Sequence, residues 1–318
     1  MEKIIDWLLT AKPWVRYRTR LDLLDQDPGR EEVKNDRKEM LSHPKIKALL
    51  TGLKEWPGEK LKRHNDANHL LHKLAFIADI GLKRADKEIA AICEKIFATQ
   101  SGEGPFRVIV NIPIRFGGSG EDQLTWMLCD TPLIVYSLVK FGFAEDPRVK
   151  KAVDYLAGLV QDNGWRCTAS PDLGRFRGPG RKDDPCPYAN LLMLKLLAEL
   201  PGYRDSDAAA AGLDSLFTLW ERRNERKPYL FGMGTDFRKL KAPFVWYDIL
   251  HVLDILTRYP GLRDHKCVTE LKAILKCKKD ENGYFKAESI YRAWRDWDFG
   301  QKKVPSPWLT LLAYRCLH

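Results

Sequence analysis

Residues 188–200 have the sequence YANLLMLKLLAEL, whose pattern is the strongest indication of the fold. It is apolar on almost every side of a helix, so we expect a helix that is buried all round. Four other stretches have the same character, at 70–80, 133–141, 246–256 and 308–317. They begin at intervals of about 55 to 63 residues, which is typical of a repeat protein whose units each contribute one buried helix.

Amphipathic stretches lie between these apolar ones, at 87–99, 147–160, 208–221 and 267–277. Each has one apolar face and one polar face, which predicts an outer layer of helices around the buried ones.

Glycine-aromatic turns recur with the same period, at Gly104-Pro105-Phe106, Gly164-Trp165 and Gly283-Tyr284-Phe285. A glycine lets the backbone turn sharply while the aromatic residue after it wedges between helices. We therefore predict a repeating unit of outer helix, glycine-aromatic turn, long loop and inner helix.

The N-terminal part, residues 1–64, reads as short helices at 4–9, 13–24 and 44–53, and forms an extension ahead of the repeated region 65–318. The 13–24 segment is similar to a HEAT helix, so other helical-repeat folds stay open. The run 108–114 is strand-like, but Pro113 limits it to a short hairpin. The sequence therefore predicts a nearly all-α protein.

The composition fits a folded protein, with 44% hydrophobic and 30% charged residues. No apolar run approaches the ~20 residues of a membrane span, and the N-terminus does not resemble a signal peptide. Seven scattered cysteines favour free thiols or metal ligands in a reducing, cytoplasmic setting. The net charge of +10 permits an anionic partner, and its densest cluster is Arg175, Arg177, Arg181 and Lys182.

The repeated helix pairs resemble the α/α-toroid superfamily, which includes squalene and terpene cyclases and the β subunits of protein prenyltransferases. The resemblance covers roughly residues 65–318. It implies an α/α toroid of helix pairs around an apolar cavity. It also implies a small apolar or isoprenoid-diphosphate-like ligand. Trp165, Tyr188 and Trp246 are the aromatic residues that we expect to bind it.

The segment Cys129-Asp130-Thr131-Pro132 resembles the start of the class II cyclase helix whose Asp-x-Asp-Asp-Thr-Ala motif carries the proton donor. Asp130 and Thr131 match, which makes Asp130 a candidate catalytic residue. Cys129 stands where the proton-donating aspartate would be, and a thiol cannot protonate an alkene. The other role open to Asp130 is a helix N-cap.

The segment Gly180-Arg181-Lys182-Asp183-Asp184-Pro185-Cys186 resembles the zinc-binding segment of protein prenyltransferase β subunits. The resemblance implies that Asp184 and Cys186 bind zinc and that Arg181 and Lys182 hold a diphosphate. The third zinc ligand is His251, Asp248 or neither. Without a metal, Asp184 would cap a helix and Cys186 would be an ordinary buried thiol.

His69 and His72 lie three residues apart at the start of the first apolar stretch, near His64 and Asp66. They share one helix face, so both can serve as acid–base groups or metal ligands in a cavity. The alternative is a capped helix start in which both histidines bind carbonyl groups.

Three functions compete. The first is a prenyltransferase- or cyclase-like enzyme, zinc-dependent or not, acting on an apolar ligand with an anionic head. The second is a non-catalytic scaffold for a lipid or a protein. A HEAT-like nucleic-acid-binding protein ranks last, because HEAT units repeat every ~40–47 residues.

Overall fold

The computed structural model describes residues 1–174, 176, 178, 180–225, 227 and 231–318. The described part is mostly helical, as predicted, with one two-stranded sheet. The chain divides into two compact units. We call Gly52–Met233 the central unit, and Met1–Thr51 together with Gly234–His318 the terminal unit.

The elements follow in chain order. The N-terminal helices are α1 (Glu2–Leu9), α2 (Pro13–Asp22), α3 (Glu31–Ser42) and α4 (Pro44–Leu53). The next elements are α5 (Leu70–Ile80), α6 (Lys87–Phe97), β1 (Val108–Asn111), β2 (Asp122–Thr125), α7 (Thr131–Leu138), α8 (Pro147–Ala157), α9 (Pro187–Leu197), α10 (Pro201–Arg204) and α11 (Asp207–Glu221). The last helices are α12 (Thr235–Arg238), α13 (Ile249–Leu256), α14 (Lys266–Lys276) and α15 (Pro307–Leu317).

The inner helices of the central unit are α5, α7 and α9, which pack side by side. Every residue of α7 and of α9 is buried, as their apolar sequences predict. Helix α8 packs on α7, and α11 packs on α9. Helix α8 buries only one face, formed by Val149, Ala152, Val153, Leu156 and Ala157, so the inner and outer layers of this unit are as expected.

The glycine-aromatic turns are tied to the inner helices by a repeated hydrogen bond. Gly104, Gly164 and Gly283 all have positive φ, which favours glycine. In each turn, the backbone of an aromatic residue forms a hydrogen bond with a side chain 25 residues further along the chain. The pairs are Phe106 with Thr131, Trp165 with Asn190, and Phe285 with Thr310. The recurrence of this connection supports a helix-pair repeat.

In the terminal unit, α13 packs against α14 and α15, and α15 packs against α1 and α2. The half-buried Arg315 joins three of these helices, since its guanidinium lies 2.9 Å from Asp254 and 3.4 Å from Asp22. The N-terminal helices therefore belong to the same compact unit as the C-terminal one.

Helix α3 is missing from the sequence-based prediction because its sequence, EEVKNDRKEMLS, is mostly charged. It packs on α2, where Arg16 and Arg20 hold the buried Asp36 at 2.5 and 2.7 Å. Helix α13 begins three residues later than expected. The Asp248 side chain caps it by accepting from the N–H groups of Leu250 and His251, both at 3.1 Å.

The expected hairpin forms from β1 and β2, which are antiparallel and pair Val108 with Thr125. Val108 and Val110 are buried on one face of the sheet. Among the described residues, no helix is long and apolar enough to cross a bilayer.

Candidate thiol and histidine site

Two buried cysteines meet where the inner helices α7 and α9 begin. Cys129 lies just before α7, and Cys186 is the N-cap residue of α9. Their Sγ atoms are 3.6 Å apart. The two residues are separated by 57 positions, about one repeat, and each lies close to the start of its inner helix.

A third cysteine, Cys167, is brought to the pair by backbone hydrogen bonds. The N–H of Leu128 donates to the Thr168 carbonyl at 2.9 Å, and the N–H of Cys186 donates to the Trp165 carbonyl at 2.8 Å. These bonds tie the 165–168 segment to the starts of both inner helices. Cys167 is half-buried, whereas Cys129 and Cys186 are buried.

The three thiols are chemically unequal. The thiol of Cys129 donates a hydrogen bond to the Cys167 sulfur, which raises the pKa of Cys129 well above its usual range. The same bond outweighs the effect of burial at Cys167 and, with the Gly178 N–H, lowers the pKa of Cys167 to about 7. Cys167 therefore has substantial thiolate character at neutral pH, and the thiolate is the form that attacks electrophiles and binds metals.

His64 and Asp130 form a hydrogen-bonded pair beside the thiols, with His64 Nδ1 2.8 Å from Asp130 Oδ1. Burial would lower the pKa of His64, but the charge and hydrogen bond of Asp130 outweigh it and raise that pKa to about 9. Asp130 is fully buried, and its Oδ2 has no hydrogen-bond partner. It stands at the N-cap position of α7, yet its side chain makes no capping bond.

His69 and His72 anchor the loop that carries His64. His69 caps α5, because its Nδ1 accepts from the Leu71 N–H at 3.1 Å, and its Nε2 donates to the Glu59 carbonyl at 3.0 Å. His72 Nε2 donates to the His64 carbonyl at 2.8 Å. Burial lowers the pKa of His72 to about 4, so it is neutral at pH 7. Their acid–base role stays a prediction.

The basic residues Arg181 and Lys182 are exposed in the loop before α9, while Asp184 is buried. The Asp184 N–H closes a turn by donating to the Arg181 carbonyl at 3.1 Å. Within the described residues, Arg181 and Lys182 make no ion pair, so both are available to an anion. The other two members of the basic cluster, Arg175 and Arg177, lie outside the described residues.

The two candidates for the third zinc ligand, Asp248 and His251, belong to the terminal unit, whereas Asp184 and Cys186 belong to the central unit. Burial raises the pKa of Asp248 to about 7, and its Oδ2 has no hydrogen-bond partner. His251 Nδ1 faces the Trp246 carbonyl at 2.9 Å. If Nδ1 carries the proton, the lone pair is on Nε2, as in metal-binding histidines. Their metal role stays a prediction.

The aromatic residues expected to bind a ligand differ in exposure. Trp165 is fully buried, donates its indole N–H to the Leu156 carbonyl at 2.9 Å, and packs against Gly212. Tyr188 is also buried in α9, whereas Trp246 is half-buried. Trp165 and Tyr188 thus pack in the core of the central unit, and a role of the three in ligand binding stays a prediction.

Across the described ranges, no group of three or more His, Cys, Asp or Glu side chains already stands in position to hold a metal ion. The thiol and histidine site comprises Cys129, Cys167, Cys186, His64 and Asp130. Cys167 and His64 were not among the residues chosen from sequence. The spacing of Cys129 and Cys186 is close to one repeat, and it could have predicted that the two cysteines lie close together. Nothing in the spacing along the chain indicated Cys167.

The chain matches no protein-family model, and no curated protein is significantly similar to it.

Proposed function

We propose that the central unit binds a zinc ion through the thiolates of Cys129 and Cys186, in a protein that acts on an apolar ligand with an anionic head. The observation that carries this proposal is the 3.6 Å separation of the two sulfurs. Two thiolates on one tetrahedral zinc, each about 2.3 Å from the metal, are about 3.8 Å apart. The cysteine pair is therefore spaced like two ligands of a single ion.

Cys167 and His64 are the best candidates for the remaining ligands. Cys167 already contacts Cys129 through a hydrogen bond, and both Cys167 and His64 are half-buried, which leaves room for side-chain rotation. Such rotation is required, because no three of these groups surround one point in the described chain as it stands. Zinc would displace the thiol protons and stabilise the thiolates.

The His64–Asp130 pair supports this assignment. A metal-binding histidine usually donates its second ring N–H to a carboxylate, which fixes its orientation and tautomer. His64 does so through Nδ1, and zinc binding at Nε2 would displace the proton that a pKa of about 9 leaves there at neutral pH. Asp130 is fully buried and has one oxygen without a partner, so the site has spare capacity for a cation.

The chemistry we propose is transfer or elimination at a diphosphate-bearing ligand. Arg181 and Lys182 would hold the anionic head, because guanidinium and ammonium groups neutralise phosphate charge in the transition state. Both precede Cys186 in one short loop, so head and metal would be held by the same segment. Bound zinc supplies an activated thiolate or water at neutral pH.

The test is zinc content after purification without added metal and under reducing conditions. We expect one zinc ion per chain in the wild type and loss of zinc in Cys129→Ala and Cys186→Ala. Cys93→Ala is the matched control, because Cys93 is also fully buried in the central unit but lies in α6, away from the site. Zinc-free wild type, or equal zinc in all variants, would overturn the proposal.

The ligand is tested separately with farnesyl diphosphate and farnesol. The Arg181→Glu/Lys182→Glu double variant should bind the diphosphate at least tenfold more weakly, since a hydrogen bond to a charged group contributes about 1.5 kcal/mol or more, and its affinity for the alcohol should be unchanged. Equal binding of the diphosphate by wild type and double variant would show that Arg181 and Lys182 do not bind an anionic head. The zinc site would not be affected by that result.

A further inference from the structure

The tip of the β1–β2 hairpin exposes large apolar side chains. The tip is a short helical turn, Ile114–Phe116, between the two strands. Ile114 is 76% exposed and Phe116 is 57% exposed, and Leu124 on β2 is 39% exposed. Most other large apolar residues in the described chain are buried or half-buried. Three exposed apolar side chains on one hairpin therefore indicate an interaction surface.

The tip is held in one conformation by hydrogen bonds. The N–H of Gly117 donates to the Ile114 carbonyl at 2.9 Å, and the N–H of Gly120 donates to the Ile112 carbonyl at 2.9 Å. Asn111 Nδ2 donates to the Gly120 carbonyl at 2.9 Å. The apolar side chains are therefore presented outward by a built turn and are not exposed through a lack of local structure.

Exposed basic residues lie on this turn and on the segment bridged to β1, against one exposed acidic residue of the same loop, Glu121. The guanidinium of Arg115 lies over the Phe116 ring, 4.8 Å from its centre. The backbone of Leu61 forms a parallel β-bridge with Val110 of β1. The chain after Leu61, which carries Lys62 and Arg63, therefore runs in the same direction as β1, towards the tip. All three basic side chains are exposed, and within the described residues none is in an ion pair. Lys60, by contrast, pairs with Asp122 at 2.9 Å.

We propose that the Ile114–Phe116 turn docks on an anionic lipid surface, with Ile114 and Phe116 inserted among the lipid chains and Lys62, Arg63 and Arg115 on the headgroups. Interfacial binding combines apolar side chains at the acyl boundary with basic residues facing anionic lipid, and this turn has both. Three exposed apolar side chains are far too few for a stable protein interface, which buries about 800 Å² on each partner.

The proposal does not rest on the zinc site or on the proposed ligand, and its test leaves both untouched. The test is co-sedimentation with phosphatidylcholine vesicles, either pure or containing about one third phosphatidylglycerol. We expect binding to the anionic vesicles that weakens with added salt, because the surface attraction is screened. Ile114→Ser/Phe116→Ser should lower the partition coefficient at least tenfold, as expected for removing two buried apolar side chains.

Arg115→Glu changes the charge of the turn by two units and should lower partition into anionic vesicles by about 25-fold, at about fivefold per unit charge. Val304→Ser is the control, because Val304 is 58% exposed but lies in the terminal unit, outside the hairpin. Circular dichroism and zinc content should be unchanged in every variant. Failure of the wild type to sediment with anionic vesicles, or wild-type binding by the Ile114→Ser/Phe116→Ser variant, would overturn the proposal.

Discussion

The side-chain amide of Asn190 holds the backbone of Trp165 at two points. Its Oδ1 accepts from the Trp165 N–H at 3.0 Å, and its Nδ2 donates to the Trp165 carbonyl at 2.8 Å. The same Nδ2 donates to the Cys186 carbonyl at 2.8 Å. This one side chain therefore links the glycine-aromatic turn to the inner helix α9 and to the cysteine at its start.

Gly164→Ala should be strongly destabilising, by about 3 kcal/mol or more, because Gly164 has a φ of +97° and a Cβ there would overlap Asn190 Oδ1 and lie 2.9 Å from Ser215 Cβ. The measurement is urea unfolding followed by circular dichroism. Gly202→Ala is the matched control, since no atom lies within 4 Å of its added Cβ. A Gly164→Ala variant as stable as Gly202→Ala would contradict the role given to this turn.

Asp130→Asn should lower the pKa of His64 from about 9 to below its usual 6.5. Burial lowers this pKa, and in the variant no carboxylate charge opposes that effect. The histidine proton signals of chelator-treated protein report this by NMR titration. A pKa raised in the folded state gives stability that is complete below pH 6.5 and is lost as the pH rises through 9. The wild type should therefore lose about 2–3 kcal/mol over that range, which Asp130→Asn should not.

Asp248→Asn should stabilise the protein at pH 8 by a few kcal/mol. Burial raises the pKa of Asp248 to about 7, so its ionised form opposes folding at alkaline pH. The contribution of Asp248 to wild-type stability should accordingly become less favourable as the pH rises from 4 to 7 and then stay constant, and the gain in Asp248→Asn should be smaller at pH 5. Asparagine retains the N-cap, whereas Asp248→Ala should lose about 1 kcal/mol of capping.

These stabilities are measured by denaturant unfolding at both pH values. A gain for Asp248→Asn that is equal at pH 5 and pH 8 would show that the charge of Asp248 is not what opposes folding.

The inner helices of the central unit share a buried ion pair, Lys195 with Asp79 at 3.3 Å, and the Tyr136 hydroxyl donates to Asp79 at 2.5 Å. Lys195→Met alone should cost about 3–5 kcal/mol, because it leaves a buried carboxylate without its cation. Lys195→Met combined with Asp79→Leu should cost clearly less than the sum of the single changes. A double-mutant cycle in urea measures this, and strict additivity would contradict the coupling.

The sequence pattern was sufficient to predict the inner and outer helices. A helix buried on all sides is apolar all round, and a helix buried on one side has apolar residues at a helical period. The start of α9 follows from Pro187, whereas the start of α13 depends on the capping bonds of Asp248, which periodicity cannot show. Helix α3 forms because Asp36 meets two arginines of α2, a tertiary contact with no sequence signature.

The candidate site was only partly predictable for the same reason. Cys186 and Asp130 stood out because each lies in a segment that resembles a known motif. Cys167 joins them through backbone pairing of a loop, and His64 through a hydrogen bond across 66 residues. Neither contact follows from spacing along the chain.

The most direct test of the zinc site is the absorption spectrum of protein reconstituted with cobalt(II) in place of zinc. We expect intense sulfur-to-cobalt charge-transfer bands and the visible bands of a tetrahedral ion, with the charge-transfer intensity falling in both Cys129→Ala and Cys186→Ala and unchanged in Cys93→Ala. A spectrum without charge-transfer bands, or one that the two site variants leave unaltered, would contradict zinc binding by the buried cysteine pair.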